Sequence, residues 1–321
     1  MISTSTGSRI LTLLALLTLA LGRSPALLAA EAAAPSNGVL LQYNLKKGDV
    51  FPYRLAMDIT SKVSVPSQPD MDVSAKLQMV MRMAVQDVNQ DGSYQIETQV
   101  SDAKLTANGQ EMPLTATAIP PITMTVTRNG VVKNVKGLEG LAGGSAVPGL
   151  DPTSFSNMMS NMAVFPEKPI KVNDTWTYTT PITFPGSKQV TATTKARLVG
   201  LETTKDGTPV ARVNASVNVP LDLTLPQPSG TTTMKGQQVG TVTTLYSRAN
   251  GMPVDANGTT NMTAKITANS VGPDGKPNNV SMDMTMKMQI HMLLDPTLKG
   301  TVPATGTATT PPPPPPPAPS Q

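Results

Sequence analysis

The stretch Lys46-Lys47-Gly48-Asp49-Val50-Phe51-Pro52-Tyr53 recurs as Lys171-Val172-Asn173-Asp174-Thr175-Trp176-Thr177-Tyr178, 125 residues further on. Both copies share Lys-x-(Gly/Asn)-Asp-x-aromatic-x-Tyr. Gly or Asn followed by Asp favours a tight turn, and two aromatics at alternate positions share one face of the strand that follows. Two more landmarks repeat in the same order. Asp91-Gly92 returns as Asp206-Gly207 and Asn129-Gly130 as Asn250-Gly251, at offsets of 115 and 121 residues. Three landmarks in one order at similar offsets point to a tandem duplication of a β-rich unit.

Working outward, Val39 to Leu45 reads as an opening strand, Phe51 to Val65 as the next, and Ser74 to Val88 as the cleanest of the first half. There Leu77, Met79, Met81, Met83 and Val85 share one parity while Gln78, Arg82 and Gln86 take the other. Asp91-Gly92 leads into Tyr94 to Leu105, and Asn129-Gly130 joins Ile122–Thr127 to Val131–Val135. The second half follows suit with Trp176–Phe184, Val190–Thr203, Val210–Val219, Val239–Ser247 and Met252–Val254. A closing hairpin, Thr260–Val271 with Asn279–Leu294, surrounds Pro273-Asp274-Gly275.

Between the halves, residues 137 to 149 are Gly-rich and loop-like. Asp151 then suits a helix N-cap with Pro152 at the first turn, and Phe155, Met158, Met159 and Met162 fall at helical spacing before Pro166. The expected organisation is a signal peptide over 1–34, a first β repeat over 35–150 and a linking amphipathic helix over 151–165. A second repeat with the closing hairpin covers 166–298, and a disordered proline-rich tail 299–321. The leader follows from Arg9, the apolar run Ile10 to Leu21 and the small residues Ala29 to Ala34. That run is too short for an ordinary membrane span. The fold class is therefore mainly β: two related antiparallel meanders forming an open half-barrel or a sandwich, with one short helix between them.

Composition removes several functions. There is no cysteine and a single histidine, His291, so thiolate chemistry and multi-histidine zinc sites are excluded. The net charge of +4 is scattered rather than clustered, and aromatics make up only 3% of the chain, which argues against nucleic acid as a partner. No Gly-x-Ser-x-Gly elbow exists, since the stretch Gly143-Gly144-Ser145-Ala146-Val147 fails at its last position. Asp49 and Asp174 are carboxylates at matching repeat positions, and both precede strands, where Asp caps its own backbone. Neither an enzyme nor a cofactor is expected. Asp87-Val88-Asn89-Gln90-Asp91-Gly92 opens like a calcium loop but ends on Thr98 where glutamate is needed, and only its turn recurs.

Methionine is the conspicuous residue. Met282, Met284, Met286, Met288 and Met292 share a parity with Val280 and Ile290, opposite Ser281, Asp283, Thr285, Lys287, Gln289 and His291. A half-buried strand has this layout. Thioethers also suit Cu(I), but neighbours on one strand face lie about 6.6 Å apart. A copper site on Met282, Met284, Met286 and Met288 would need a second methionine strand, for which Met79, Met81 and Met83 are available. An adaptable apolar interior is the preferred reading. Its ligand, a lipid or another apolar small molecule, would lie among Met79, Met81, Met83, Met158, Met159 and Met162, with the helix as a lid.

At Lys46-x-Gly-Asp-x-Phe, Asp87-x-Asn-x-Asp-Gly, Thr127-Arg128-Asn129-Gly130-Val131 and above all Phe165-Pro166-Glu167-Lys168-Pro169-Ile170-Lys171-Val172-Asn173-Asp174-Thr175-Trp176, the chain resembles a family of uncharacterised exported bacterial proteins. Its members carry fP-x-KPvKvGDsW between two β-rich halves. Asn173 stands where Gly is usual, and Asn tolerates the same left-handed conformation. The family has no established activity, so the resemblance implies no catalytic residues. More distantly, the long strands around an apolar face are similar to the half-barrels of lipoprotein carriers. The whole points to an exported, non-enzymatic binding or scaffold protein of the bacterial envelope, periplasmic or secreted, with its proline tail available to an envelope partner. The alternatives are a methionine-based Cu(I) handler and a purely structural surface protein.

Overall fold

The computed structural model describes residues 38–113, 121–137, 162–182, 189–227, 230–271 and 277–300. They build β1 (Val50–Ser64), β2 (Met71–Val88), β3 (Tyr94–Ala107), β4 (Gln110–Pro113), β5 (Ile122–Val126), β6 (Val132–Lys136), β7 (Thr175–Ile182), β8 (Val190–Thr203), β9 (Pro209–Gln227), β10 (Gly230–Ser247), β11 (Pro253–Val271) and β12 (Pro277–Leu294). A short 3-10 turn, Pro296–Gly300, follows. All twelve belong to one open antiparallel sheet in the order β6-β5-β3-β2-β1-β12-β11-β10-β9-β8-β7, with β4 paired to β3. The structure is thus a single sheet rather than a sandwich.

Several expectations are refined. Val39–Leu45 is no strand: only Val39 pairs, in an isolated bridge to Ile170, although Leu41, Tyr43 and Leu45 are buried. β9 and β10 run well beyond the alternating patches that announced them, and β11 continues unbroken from Pro253 to Val271. The closing hairpin is therefore the end of the second meander. Of the helix expected over 151–165, residues 162 to 165 have no regular structure, and 151–161 lie outside the described residues together with Met158 and Met159. The leader and residues 301–321 of the expected tail also lie outside them, while Lys299 and Gly300 belong to the 3-10 turn.

The alternation read from the sequence decides which flank is inside. On β12, Met282, Met284, Met286 and Met288 are buried while Asp283, Thr285, Lys287, Gln289 and His291 are exposed. On β1 the odd residues from Phe51 to Val63 turn inward, and on β2 those from Leu77 to Val85 do so. In β3 a bulge at Asp102, whose φ is +49°, switches the inward set from Tyr94, Ile96, Thr98 and Val100 to Ala103 and Leu105. A flat sheet could not bury one flank this thoroughly against itself. Twist and curl bring the halves together instead, so one core holds Met79, Met81, Ile96 and Met124 of the first with Leu198, Val213 and Tyr246 of the second. A second cluster lies along β9 to β12 around Leu221, Leu223, Met234, Met262 and Ile266.

The duplication is legible bond by bond. In the first copy Lys46 N donates to Asp49 Oδ2 at 2.8 Å, Gly48 N to Val85 O and Val85 N to Asp49 O. In the second, Lys171 N donates to Asp174 Oδ2 at 2.8 Å, Asn173 N to Leu198 O and Leu198 N to Asp174 O. Gly48 and Asn173 both sit at positive φ, +88° and +76°, so Asn173 does serve where glycine would. The strands that follow bulge alike, between Val85 and Asp87 and between Leu198 and Gly200.

The leader of each half crosses to the other half's Asn-Gly turn. Asn44 N donates to Asn250 O, and Phe165 N to Asn129 O. Backbone passes so close that a Cβ at Gly251 would lie 2.3 Å from Gln42 O, and one at Gly130 2.0 Å from Ala163 O. Residues 163–165 therefore span from the β5–β6 turn at one margin of the sheet to β7 at the other, where Trp176 Nε1 donates to Val164 O at 2.8 Å.

Candidate binding interior

The end of the curled sheet spanned by residues 163–165 is aromatic. All five tyrosines of the chain belong to the shared core, gathered with Phe165 and the single tryptophan. Phe165 stacks obliquely on Tyr43, with centroids 5.3 Å apart, and meets Tyr246 edge-on at 5.0 Å. Each buried tyrosine hydroxyl finds a carbonyl or a neighbouring hydroxyl. Tyr53 donates to Pro253 O at 3.1 Å, Tyr94 to Tyr43 O at 2.8 Å and Tyr43 to Ala163 O at 3.3 Å. Burial pushes Tyr43, Tyr53 and Tyr246 far above the ordinary phenol range, with neighbouring tyrosines adding to it, and raises Tyr178 as well. This end is a sealed plug.

Met79, Met81 and Met83 turn inward in the same core, opposite Leu55, Tyr53 and Phe51 of β1, and half-buried Met162 packs against it. The four described members of the six-methionine set thus belong to one large core that spans both halves. It does not place Met79, Met81 and Met83 beside the β12 stripe, because β1 lies between β2 and β12. The methionine next to that stripe is Met262 of β11, directly opposite Met286. Met234 joins the same cluster from β10. Sequence reading had Met262 in the closing hairpin beside the stripe without counting it toward a methionine group, and missed Met234 because β10 was drawn too short.

Also overlooked were two hydroxyls. Ser61 and Thr98 are 4% and 1% exposed, point into the apolar flank, and have Oγ atoms without a hydrogen-bond partner. Ser61 sits between Met286 and Val73, and Thr98 between Met83 and Ile122. The signal was present in Ile59-Ser61-Val63 and Ile96-Thr98-Val100, where one polar residue interrupts an inward parity. A hydroxyl is unremarkable in a strand until the burial of its neighbours is known.

The other candidates resolve into structural roles. Asp49 and Asp174 cap their turns, and His291 Nε2 lies 3.2 Å from Asp255 Oδ1 on the outer flank. In the calcium-like stretch, Asp87 meets Lys47 at 3.2 Å, and Asp91 accepts from Ser93 N and Ser93 Oγ. These partners hold both carboxyls below the usual range. Among the described residues no group of three or more metal-ligating acidic, His or Cys side chains occurs. Among the described residues, two surface clefts are lined by mixed polar and apolar groups. One of about 560 Å³ is lined by Lys62, Asp72, Asn261 and Lys287 and reaches Ser61 and Met286. The other, about 470 Å³, lies along Asn89, Asp91, Gln95 and Lys133. No helix among the described residues is long and apolar enough to cross a membrane.

No protein-family model and no curated protein matches the chain. Among the solved structures to which the chain shows a distant likeness are the following three. One, of lipid–protein interactions in lipovitellin, aligns with 78% of this chain at 10% identity and a TM-score of 0.42. The chain spans 25% of that structure's length. An outer membrane channel from Pseudomonas putida covers 81% of this chain and all of its own, at 6% identity and 0.20. A LolA superfamily protein from Nitrosomonas europaea covers 77% and 87%, at 9% identity and 0.12. At these scores the likenesses are to distant β proteins and carry no argument about activity.

Proposed function

We propose that this chain is an exported, non-enzymatic binding protein of the bacterial envelope whose curled sheet holds an amphipathic, lipid-like molecule against its methionine-lined inner flank. The carrying observation is the pair of buried, unpartnered hydroxyls, Ser61 and Thr98, set among methionines and aliphatic side chains. A buried polar atom left without a partner costs about 1–3 kcal/mol, and native proteins seldom leave one so. A ligand with an apolar chain and a hydroxyl, ester or carboxyl oxygen satisfies such an atom while its chain replaces thioether contacts. Methionine, unbranched and polarisable, re-packs around a guest at low cost.

Native mass spectrometry of the protein purified from its exported pool without detergent tests this reading. The expected result is an adduct of acyl-lipid mass, removed by organic extraction and reduced in Thr98→Val and Ser61→Ala variants. A bare polypeptide that also takes up no fatty-acid probe in vitro contradicts it. So does a copper adduct lost on replacing Met282, Met284, Met286 and Met288 by leucine.

A further inference from the structure

Followed around the curl, the repeat lacks one strand of its first half among the described residues. In the second half β7, β8, β9, β10 and β11 are followed by β12, which pairs with β1. In the first half β1, β2, β3, the interrupted β4/β5 and β6 match the first five by their turns. After β6 comes the Gly-rich stretch 137–149, whose sequence has none of β12's alternation. The position equivalent to β12 lies between β6 and β7, the two ends of the sheet order.

β7 has the same local build as β1, the strand that receives β12. In β1, Asp49 bonds across to Val85 of β2, and Pro52 O accepts from Asp295 N on the β12 side. By the same register Asp174 bonds across to Leu198 of β8. Thr175, Thr177 and Thr179 therefore turn their N–H groups to the open side, where they have no strand partner among the described residues. Pro181 falls in that same outward set, where a missing N–H disturbs no ladder. The inward side chains of β7, Trp176, Tyr178 and Ile182, are only half-buried, whereas Ala192, Ala196 and Leu198 of neighbouring β8 are fully covered. On the outer flank the slot is basic. Lys133 and Lys136 line the β6 bank, with Lys195 and Arg197 on β8 beyond β7, all exposed and none in an ion pair among the described residues.

We infer that the slot between β6 and β7 accepts an added strand: an extended segment of a partner protein, antiparallel to β7, apolar at inward positions and acidic at outward ones. The backbone donors of β7 give affinity, the half-buried aromatics take the apolar side chains, and the lysines select the charge. Most edges are blunted by charge or proline, as β6 is by Lys133 and Lys136. β7 from Thr175 to Thr180 has neither.

The probe is a synthetic peptide of Val280–Met288, the internal precedent, beside a second with Lys287→Asp and a third of scrambled parity. Amide exchange followed by NMR in the free protein is expected to show Thr175, Thr177 and Thr179 fast and Trp176, Tyr178 and Thr180 slow. Adding peptide should slow the three fast amides and shift the emission of Trp176, the only tryptophan. The acidic peptide should bind at least several-fold tighter than the parent and lose that margin in high salt, and the scrambled one should not bind. Thr177→Pro places in β7 the residue that β1 already carries at Pro52, so it should fold and bind peptide at least tenfold more weakly. Slow exchange at all three amides in the free protein overturns the inference. So do equal binding of the scrambled peptide, self-association through β7, and unaltered binding by Thr177→Pro.

Discussion

Raising the pH should unfold this protein through its tyrosines. Tyr43, Tyr53 and Tyr246 are 1%, 0% and 8% exposed, and burial raises all three phenols far above their ordinary value. In the unfolded chain each titrates near its ordinary value of about 10. Below that pH both states hold the proton and the contribution to stability is complete. Above it the unfolded state releases protons that the folded state keeps, so stability falls by about 1.4 kcal/mol per pH unit for each tyrosine. By pH 12 the three together remove about 8 kcal/mol, and Tyr178 adds to the loss. A domain's whole stability is about 5–15 kcal/mol. The assay is a pH titration followed at once by tyrosinate absorbance and far-ultraviolet circular dichroism. Absorbance should rise steeply and together with loss of the β signal, between about pH 10.5 and 12. Gradual ionisation of these tyrosines near pH 10 with the β signal intact would refute the sealed plug around Phe165.

Other consequences follow from single residues. Met286→Leu keeps volume and should cost under about 1.5 kcal/mol, whereas Met286→Asp should unfold the chain in a urea titration, being wedged between Ser61 and Met262. Gly251→Ala should cost clearly more than Gly207→Ala: both have positive φ, but a Cβ at Gly251 meets Gln42 O and one at Gly207 meets nothing within 4 Å. The measurement is the difference in melting temperature. Asp49→Ala and Asp174→Ala should each cost about 1 kcal/mol, and nearly equally, because the same capping bond is lost in each copy. Thr98→Val should leave the ligand-free protein as stable or slightly more so, since it removes a hydroxyl that has no partner, and calorimetry decides.

How much of this was legible in the sequence depended on the kind of signal. Strand parity was, because burial on one flank writes itself as alternation: the β12 methionines and the set from Leu77 to Val85 lie where the pattern placed them. The duplication was too, since turns demand particular residues, and Gly48 and Asn173 prove to share one conformation. Strand ends were less legible. β9 continues from Leu221 to Gln227 and β10 begins at Gly230, so that Pro226 and Gly236, which interrupt the pattern, lie inside strands. A Cβ at Gly236 would lie 2.0 Å from Thr263 O, so the glycine marks a tight approach of β11 rather than a break. Least legible was what two distant segments do together. The crossing of each leader onto the other half's Asn-Gly turn and the pairing of β1 with β12 rest on topology, of which local sequence carries no record.

The pairing of the first strand with the last is what turns two meanders into one interior, and a disulfide tests it most directly. The chain has no cysteine, so Met57→Cys with Ile290→Cys introduces a single possible bond. These residues face each other across β1 and β12. By the register that Pro52 and Asp295 set, theirs is a non-hydrogen-bonded pair, with Cα atoms about 4.5 Å apart and within reach of a disulfide. The account predicts spontaneous oxidation in the folded protein, with a melting temperature well above that of the reduced form, as closure of so long a loop allows up to about 5 kcal/mol. Free thiols in the folded double variant, or a disulfide that forms only after unfolding, would contradict it.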